Sequence, residues 1–399
     1  MADYSDLVGR MRLFHEGRLR PGLRRKYERM AAGPFEFFRG TDFLFARSWP
    51  VLQPRSAGPA ILICGDLHLE NFGAFLTDDG EVRFDINDFD EAAVAPCSID
   101  LVRCSTSILL AAESWRLTPT QATGMVLTFL DAYSRSVIDD AINRPPAERQ
   151  PDLGPVITLV ENVRRGSMAQ VVNGHAKRRR DGTWRFRRTN PRLRREKSET
   201  KDAIRAALAA NPSTQPWQVL AIARRYSGVG SLGLRRYELL VQPNNDASPI
   251  LISMKESMTS VLEPLADPAQ PCFRLPAERA AWAQKILQGK PTAGLQTLTC
   301  EGRSFRLRAV IPEENRAALN RLQHDPVRLR TAVALAGRLT ARSHYRGSVI
   351  EKDRASQLRD WVKSPALDAV LAAAVRFADW VQRDYNLYMH AYRKGAINA

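Results

Sequence analysis

Apolar residues recur along the chain with two different periods, and the changes of period mark its elements. Short apolar runs at Ile61, Leu62 and Ile63 and at Val82, Phe84 and Ile86 read as strands, the second with successive residues on opposite faces. Asp78, Asp79 and Gly80 lie between them as a hairpin turn. Thr118, Pro119 and Gln121 then form a helix start signal, followed at helical spacing by Val126, Phe129, Leu130, Tyr133 and Val137. Strand-like runs return at Leu239 to Val241 and at Ile250 to Met254, with a turn over 243–246. The remainder is helical: Val333, Ala336 and Leu339 share a face over 329–344. Between 355 and 394 the predicted buried positions are Trp361, Val362, Leu367, Val370, Leu371, Phe377, Trp380, Val381 and Tyr385.

These elements predict an α/β (α+β) protein in four stretches. Residues 1–150 begin a helix-rich lobe, 151–215 form a helical and basic insertion, 216–312 build a small antiparallel-sheet lobe, and 313–399 return helices to the first lobe. The run 144–155, rich in proline and charge, is the natural linker closing the first stretch.

Composition narrows the class. A chain of 399 residues with 44% hydrophobic residues can bury a sizeable core, and no apolar run reaches the length that spans a bilayer. Asp3, Asp6 and Arg10 interrupt the N-terminus, so no secretory signal is predicted. Cys64, Cys97, Cys104, Cys272 and Cys300 are odd in number and lack C-x-x-C spacing, which predicts reduced thiols, no structural zinc and a cytoplasmic location.

The net charge is +16, and much of it is local. From Lys177 to Lys197 eleven basic residues face only Asp181 and Glu196, with Trp184 and Phe186 interleaved. Three readings are open: recruitment of an acidic or phosphorylated substrate, nucleic-acid binding, or a solvated charged hairpin turning at Asp181 and Gly182.

The densest chemistry lies at 61–73 and 82–91. Asp66 is followed five positions later by Asn71, and the second strand runs into Asp88 and Asp90. An acid that orients a hydroxyl, together with an Asn and acids that hold Mg²⁺, is what phosphoryl transfer asks of a protein. Strand alternation puts Asp85 and Asp88 on opposite sides and Asp88 and Asp90 on one side. Asp88 is therefore favoured over Asp85 as a ligand, although a bulge near Asn87 would reverse the choice. Metal candidates are Asn71, Asp88 and Asp90; catalytic candidates are Asp66 and, as a substrate-orienting residue, His68.

Kinase-like chains carry a glycine loop and a lysine before the catalytic acid, whereas here both come after it. Gly228, Gly230 and Gly233, with Ser231 among them, stand in G-x-G-x-x-G order, and a strand rather than a helix follows. Lys255 ends the next strand, within reach of phosphates held by such a loop. The order amounts to a circular permutation, which adjacent chain termini make tolerable. The helix over 329–344 would then stand before the catalytic loop in space, or serve as a plain core helix.

The motifs at 30–40, 65–73, 87–91 and 100–103, the glycine loop with Arg236 and Tyr237, Lys255 with Glu256, and Asp384 with Tyr385 together resemble the bacterial family catalogued as domain of unknown function 2252. The resemblance spans roughly 20–396. It implies a two-lobed protein-kinase-like fold related to aminoglycoside and choline phosphotransferases. The family's helix motif is weak between Pro264 and Arg308, and Glu278, with Glu263 second, is the expected partner of Lys255. The chain thus reads as a phosphotransferase that uses ATP and Mg²⁺ on a hydroxyl-bearing acceptor. Its rivals are an AMP transferase on the same fold and a non-catalytic nucleotide or nucleic-acid binder.

Overall fold

Four helices open the chain: α1 (Ser5–Phe14), α2 (Arg20–Met30), α3 (Pro34–Gly40) and α4 (Asp42–Leu52). The structure is a computed structural model that describes residues 4–143, 154–158, 160–161, 168–244, 247–290, 292–310 and 325–397. Strands β1 (Ala60–Ile63), β2 (Phe72–Leu76), β3 (Val82–Ile86) and β4 (Ala93–Pro96) follow, with β2 paired to β3 and β1 to β4, both antiparallel. Gly80 turns the β2–β3 hairpin at φ 81°, a left-handed conformation open to glycine. Helices α5 (Ser98–Ser114) and α6 (Pro119–Asn143) come next. At the start of α6 Thr118 and Gln121 cap each other: the Gln121 amide donates to the Thr118 hydroxyl, and the Thr118 amide donates to the Gln121 side-chain oxygen.

The second half begins with α7 (Met168–His175), strands β5 (Ala176–Arg178), β6 (Trp184–Phe186) and β7 (Leu193–Arg194), and α8 (Ser198–Ala210). It continues through β8 (Gln218–Arg225), β9 (Arg236–Gln242), β10 (Ile250–Glu256), α9 (Pro276–Gln288), β11 (Gln296–Cys300) and β12 (Arg303–Ala309). It ends with α10 (Pro326–Ser348), α11 (Arg354–Lys363) and α12 (Ala366–Arg393).

The result is a mixed α/β protein with a helix-rich region and a small antiparallel sheet. Six strands take the order β11-β12-β10-β9-β8-β7. The sheet therefore draws β7 from the stretch expected to be an insertion, and α8 packs through Ile204 and Leu208 on one of its faces. The β5–β6 hairpin and α7 cover the other face around Ala176, Ala221 and Leu240. One large core unites the helices with β1–β4, and the predicted positions Val126, Phe129, Tyr133, Val333, Leu339, Trp361, Val370, Phe377 and Val381 all lie in it. Gly337 lets α10 approach α6 closely, since a Cβ there would run into the Phe129 carbonyl. The helix expected over 329–344 is α10, and it packs on both α6 and β1. Residues 144–153 of the expected linker, and 245 and 246 of the expected turn, lie outside the described residues. All five cysteines are free thiols, and no helix among the described residues is long and apolar enough to cross a membrane.

Candidate active site

The buried strand β1 delivers Gly65 and Asp66 to the edge of the helical region. Gly65 has φ 86°, and a Cβ on it would strike the Glu91 carbonyl, so only glycine fits. Asp100, in the first turn of α5, accepts from the Cys64 and Gly65 amides at 3.0 and 2.9 Å. His344 on α10 donates through Nε2 to Asp100 at 3.3 Å and accepts the Tyr133 hydroxyl at Nδ1 at 2.9 Å. That assignment satisfies a neutral imidazole at both nitrogens. Three helices thus hold one loop. Arg103, one turn beyond Asp100, places Nε 2.5 Å from an Asp66 oxygen, with its guanidinium over the Phe38 ring.

Two expected residues sit beneath this loop and do not line the cleft. The Asn71 carboxamide donates to the backbone carbonyl of Asp66. The Asn71 carbonyl accepts from the Asn87 amide at 2.7 Å, tying the β2 turn to the end of β3. His68 caps the short turn Leu69–Asn71, accepting the Glu70 amide at Nδ1 at 3.1 Å. The ring is buried beside the turn that follows Asp66 and is not among the residues lining the cleft.

Strand parity sends Asp85 away from the cleft, where Arg346 of α10 pairs with it at 3.1 Å in the core. Asp88 and Asp90 point into the cleft, and Lys255 meets both, lying 3.3 Å from Asp88 although 167 positions away in sequence. Lys255 stands directly opposite Arg306 on β12 and Arg236 on β9, so three cations lie side by side across the sheet. Like charges in cross-strand register repel, and the carboxylates of Asp88 and Asp90 offset this. Arg306 is 2.7 Å from Asp90 and 3.6 Å from Asp88.

Among the described residues no glutamate takes the expected place beside Lys255. Glu278 accepts the Leu275 amide at 3.2 Å and caps α9, because its position in the first turn points it back along the chain. Glu263 lies in a separate short turn, Glu263–Leu265. The helix reaches the site through Gln284 instead, which accepts from Arg306 at 3.1 Å. Gln284 and Gln288 continue inward to Thr292 and the Ile86 carbonyl.

The glycine loop runs from β8 to β9. Gly228 and Gly233 make its turns at φ 78° and 96°, while Gly230 and Ser231 line the cleft. Helix α2 and the residues before it anchor the loop: Lys26 donates to the Val229 and Gly230 carbonyls at 3.3 and 2.9 Å, and Arg18, just ahead of the helix, to the Gly230 carbonyl at 3.0 Å. Gly22 makes room, since a Cβ there would meet the Gly233 backbone. Burial, reinforced by Arg18, lowers the Lys26 pKa to about 7.

Together these segments enclose a cleft of about 520 Å³. Glu16, Asp42, Asp66, Asp88, Asp90, Glu91 and Glu256 line it, against Arg18, Lys255 and Arg303. Burial pushes Asp66 up to about 7, opposed by Arg103 and reinforced by Asp42 and Asp88. Burial and then Asp42 push Glu91 up to about 8. Among the described residues no three His, Cys, Asp or Glu side chains are gathered as a ready-made metal site. Asp42, Glu91, Arg18, Lys26 and Arg306 escaped sequence reasoning. Only Glu91 lies within a quoted motif, that at 87–91, and none of the five stands at a diagnostic spacing.

The chain belongs to the family described as uncharacterised proteins conserved in bacteria (DUF2252), which matches residues 18–391. No curated protein and no solved structure matches it.

Proposed function

We propose that the cleft is the active site of an ATP- and Mg²⁺-dependent phosphotransferase of two-lobed, kinase-like architecture, circularly permuted so that the catalytic half comes first. One observation carries this reading: Asp66, Asp88 and Asp90 share a single cleft with Lys255, Gly230 and Ser231, segments far apart in sequence and set in different lobes. That is the set of groups phosphoryl transfer uses.

The donor set suits a hard cation. Carboxylates outnumber bases in the cleft, and oxygen donors are what a hard cation takes. Asp88 and Asp90 would hold Mg²⁺, and Asn71, beneath the loop, would hold the backbone of Asp66 in place. When bound, the ion would neutralise charge on the β- and γ-phosphates. Lys255, with Arg306 and Arg236 beside it, supplies a cationic row for the triphosphate, and the Gly230–Ser231 backbone covers it. Asp66 accepts the proton of the acceptor hydroxyl as its oxygen attacks the γ-phosphorus and ADP leaves. Arg103 fixes the Asp66 carboxylate, and Asp100 fixes the loop that carries it.

The test is nucleotide binding and label transfer with purified protein. Mg²⁺-dependent ATP binding that is lost in Lys255→Met, together with transfer of label from γ-labelled but not α-labelled ATP to an acceptor, supports the reading. Transfer from α-labelled ATP assigns AMP transfer instead. No Mg²⁺-dependent binding of ATP at millimolar concentration would sink both.

A further inference from the structure

The cleft leaves the most basic part of the chain unused. From Ala176 to Phe186 the chain folds into the β5–β6 hairpin, closed by Gly182 at φ 80° with the Arg179 amide donating to the Thr183 carbonyl. The hairpin lies on the sheet through the half-buried rings of Trp184 and Phe186, which pack on Ala176, Ala221 and Leu240. Strand β7 pairs with β8 only at Arg224 and Arg225, so among the described residues the edge of β8 over 220–223 has no strand beside it.

A groove of about 460 Å³ opens here, floored by that edge and walled by the hairpin, by β7 and by Lys201 and Arg205 of α8. Its lining contains eight basic side chains and no carboxylate. Arg205 has Asp202 beside it at 3.0 Å, but Arg185, Arg188 and Arg195 meet no carboxylate among the described residues. A cluster of cations without counter-charges costs free energy in the free protein, and a bound polyanion removes that cost. Guanidinium forks match phosphate oxygens better than ammonium groups do, and seven of the eight are arginines. Trp184 and Phe186 present ring surface in the same groove.

From this arrangement we infer that the groove binds single-stranded nucleic acid. The arginines contact the phosphodiester backbone, and the two aromatic rings stack on unpaired bases. An inorganic or sulfated polyanion would use the arginines and leave the rings idle, and a duplex would hide its base faces. The inference is independent of the chemistry in the cleft.

Fluorescence anisotropy with labelled oligo(dT) and oligo(U) of fifteen nucleotides tests it on the full chain. Both should bind, and affinity should fall steeply between 50 and 200 mM salt. Arg185→Ser/Arg188→Ser/Arg195→Ser replaces three exposed side chains and should weaken binding at least tenfold. It should also reduce the slope of log affinity against log salt by about two, at roughly 0.7 per single-strand phosphate contact. Trp184→Leu keeps an apolar group on the sheet and should weaken oligonucleotide binding severalfold without moving the salt slope. Circular dichroism and the unfolding midpoint show whether each variant is folded. Equal affinity for heparin or for a duplex of the same length, or an unchanged affinity in the folded triple variant, would overturn the proposal. So would preference for an acidic peptide over both oligonucleotides, which would assign the open edge of β8 to strand addition.

Discussion

In the cleft the central charged side chains are held by opposite charges from other segments: Asp66 by Arg103, Asp88 and Asp90 by Lys255 and Arg306, and Glu256 by Arg303. Along the basic groove Arg185, Arg188 and Arg195 stand at the surface without such partners among the described residues. The contrast separates two uses of charge. Partnered, buried charges fix positions to fractions of an ångström, which chemistry needs. Unpartnered surface charges fix nothing, but their field attracts an anion over a distance that salt sets. Changes in the cleft should therefore register in turnover and stability, and changes in the groove in salt-dependent affinity.

The largest expected effect lies in the cleft. On the proposed chemistry Asp66→Asn should lower turnover by about 10²–10⁴-fold, the range for loss of a positioned base. The carboxamide retains an oxygen to accept from Arg103, so the unfolding midpoint should move little. Full turnover in a folded Asp66→Asn protein would remove Asp66 from the mechanism.

Arg306→Met should come next, because it leaves Asp90 without its closest guanidinium and Gln284 without its donor. Asp90 keeps Lys255, so the loss should fall below the roughly 3–5 kcal/mol that stranding a buried charge costs, and it is measurable by urea unfolding. Arg306→Lys should recover part of the loss. A change in Arg306→Met no larger than that of a surface substitution would show that the row across β9, β10 and β12 is not a structural unit.

Lys26 joins the loop to the helices, and its effect is read from pH. Its folded pKa, about 7, lies below its ordinary value of 10.5. Between those values the unfolded chain binds a proton that the folded chain lacks, so this group makes stability rise with pH across the window, by at most about 1.4 kcal/mol per pH unit. Below about pH 7 it is protonated in both states and contributes no slope. Buried thiols such as Cys97 and Cys104, raised by burial, oppose this at the alkaline end. Unfolding curves of the wild type and of Lys26→Met should therefore be compared between pH 7 and 9, with the wild type gaining relative to the variant. Parallel curves would mean that Lys26 stays charged in the fold.

The smallest effect sharpens the contrast from the other side. Arg185→Ser alone should change stability by no more than about 0.5 kcal/mol, as surface substitutions do. A larger loss would show that the side chain packs the hairpin, and would blur the distinction between groove and cleft.

Much of this was legible in the chain. Period and turn chemistry placed β1, the turn at 78–80, β3, α6, β9, β10 and α10, because those signals are local and repeat within a few residues, whereas β2, the strand that pairs with β3, went unread. Asp85 and Asp88 do part as parity expected, although β3 ends at Ile86 and Asp88 lies beyond it, and motif order brought Lys255 to the acids at 88–90. A turn at Asp181 and Gly182 was equally readable. Partner choice was not. Glu278 had the right residue type on the right helix, but its place in the first turn bound it to its own backbone, and Gln284, on the next turns, met Arg306 instead. His68 and Asn71 stood at the right spacing, but a tight turn folded both beneath Asp66. Arg18 and Lys26 reach the glycine loop from over 200 positions away, at 212 and 204. The open edge of β8 exists only because β7 is two residues long. Elements follow from interactions between near neighbours, which composition and spacing record. The identity of an ion pair or the shape of a groove follows from which elements the fold packs together, and no local pattern records that.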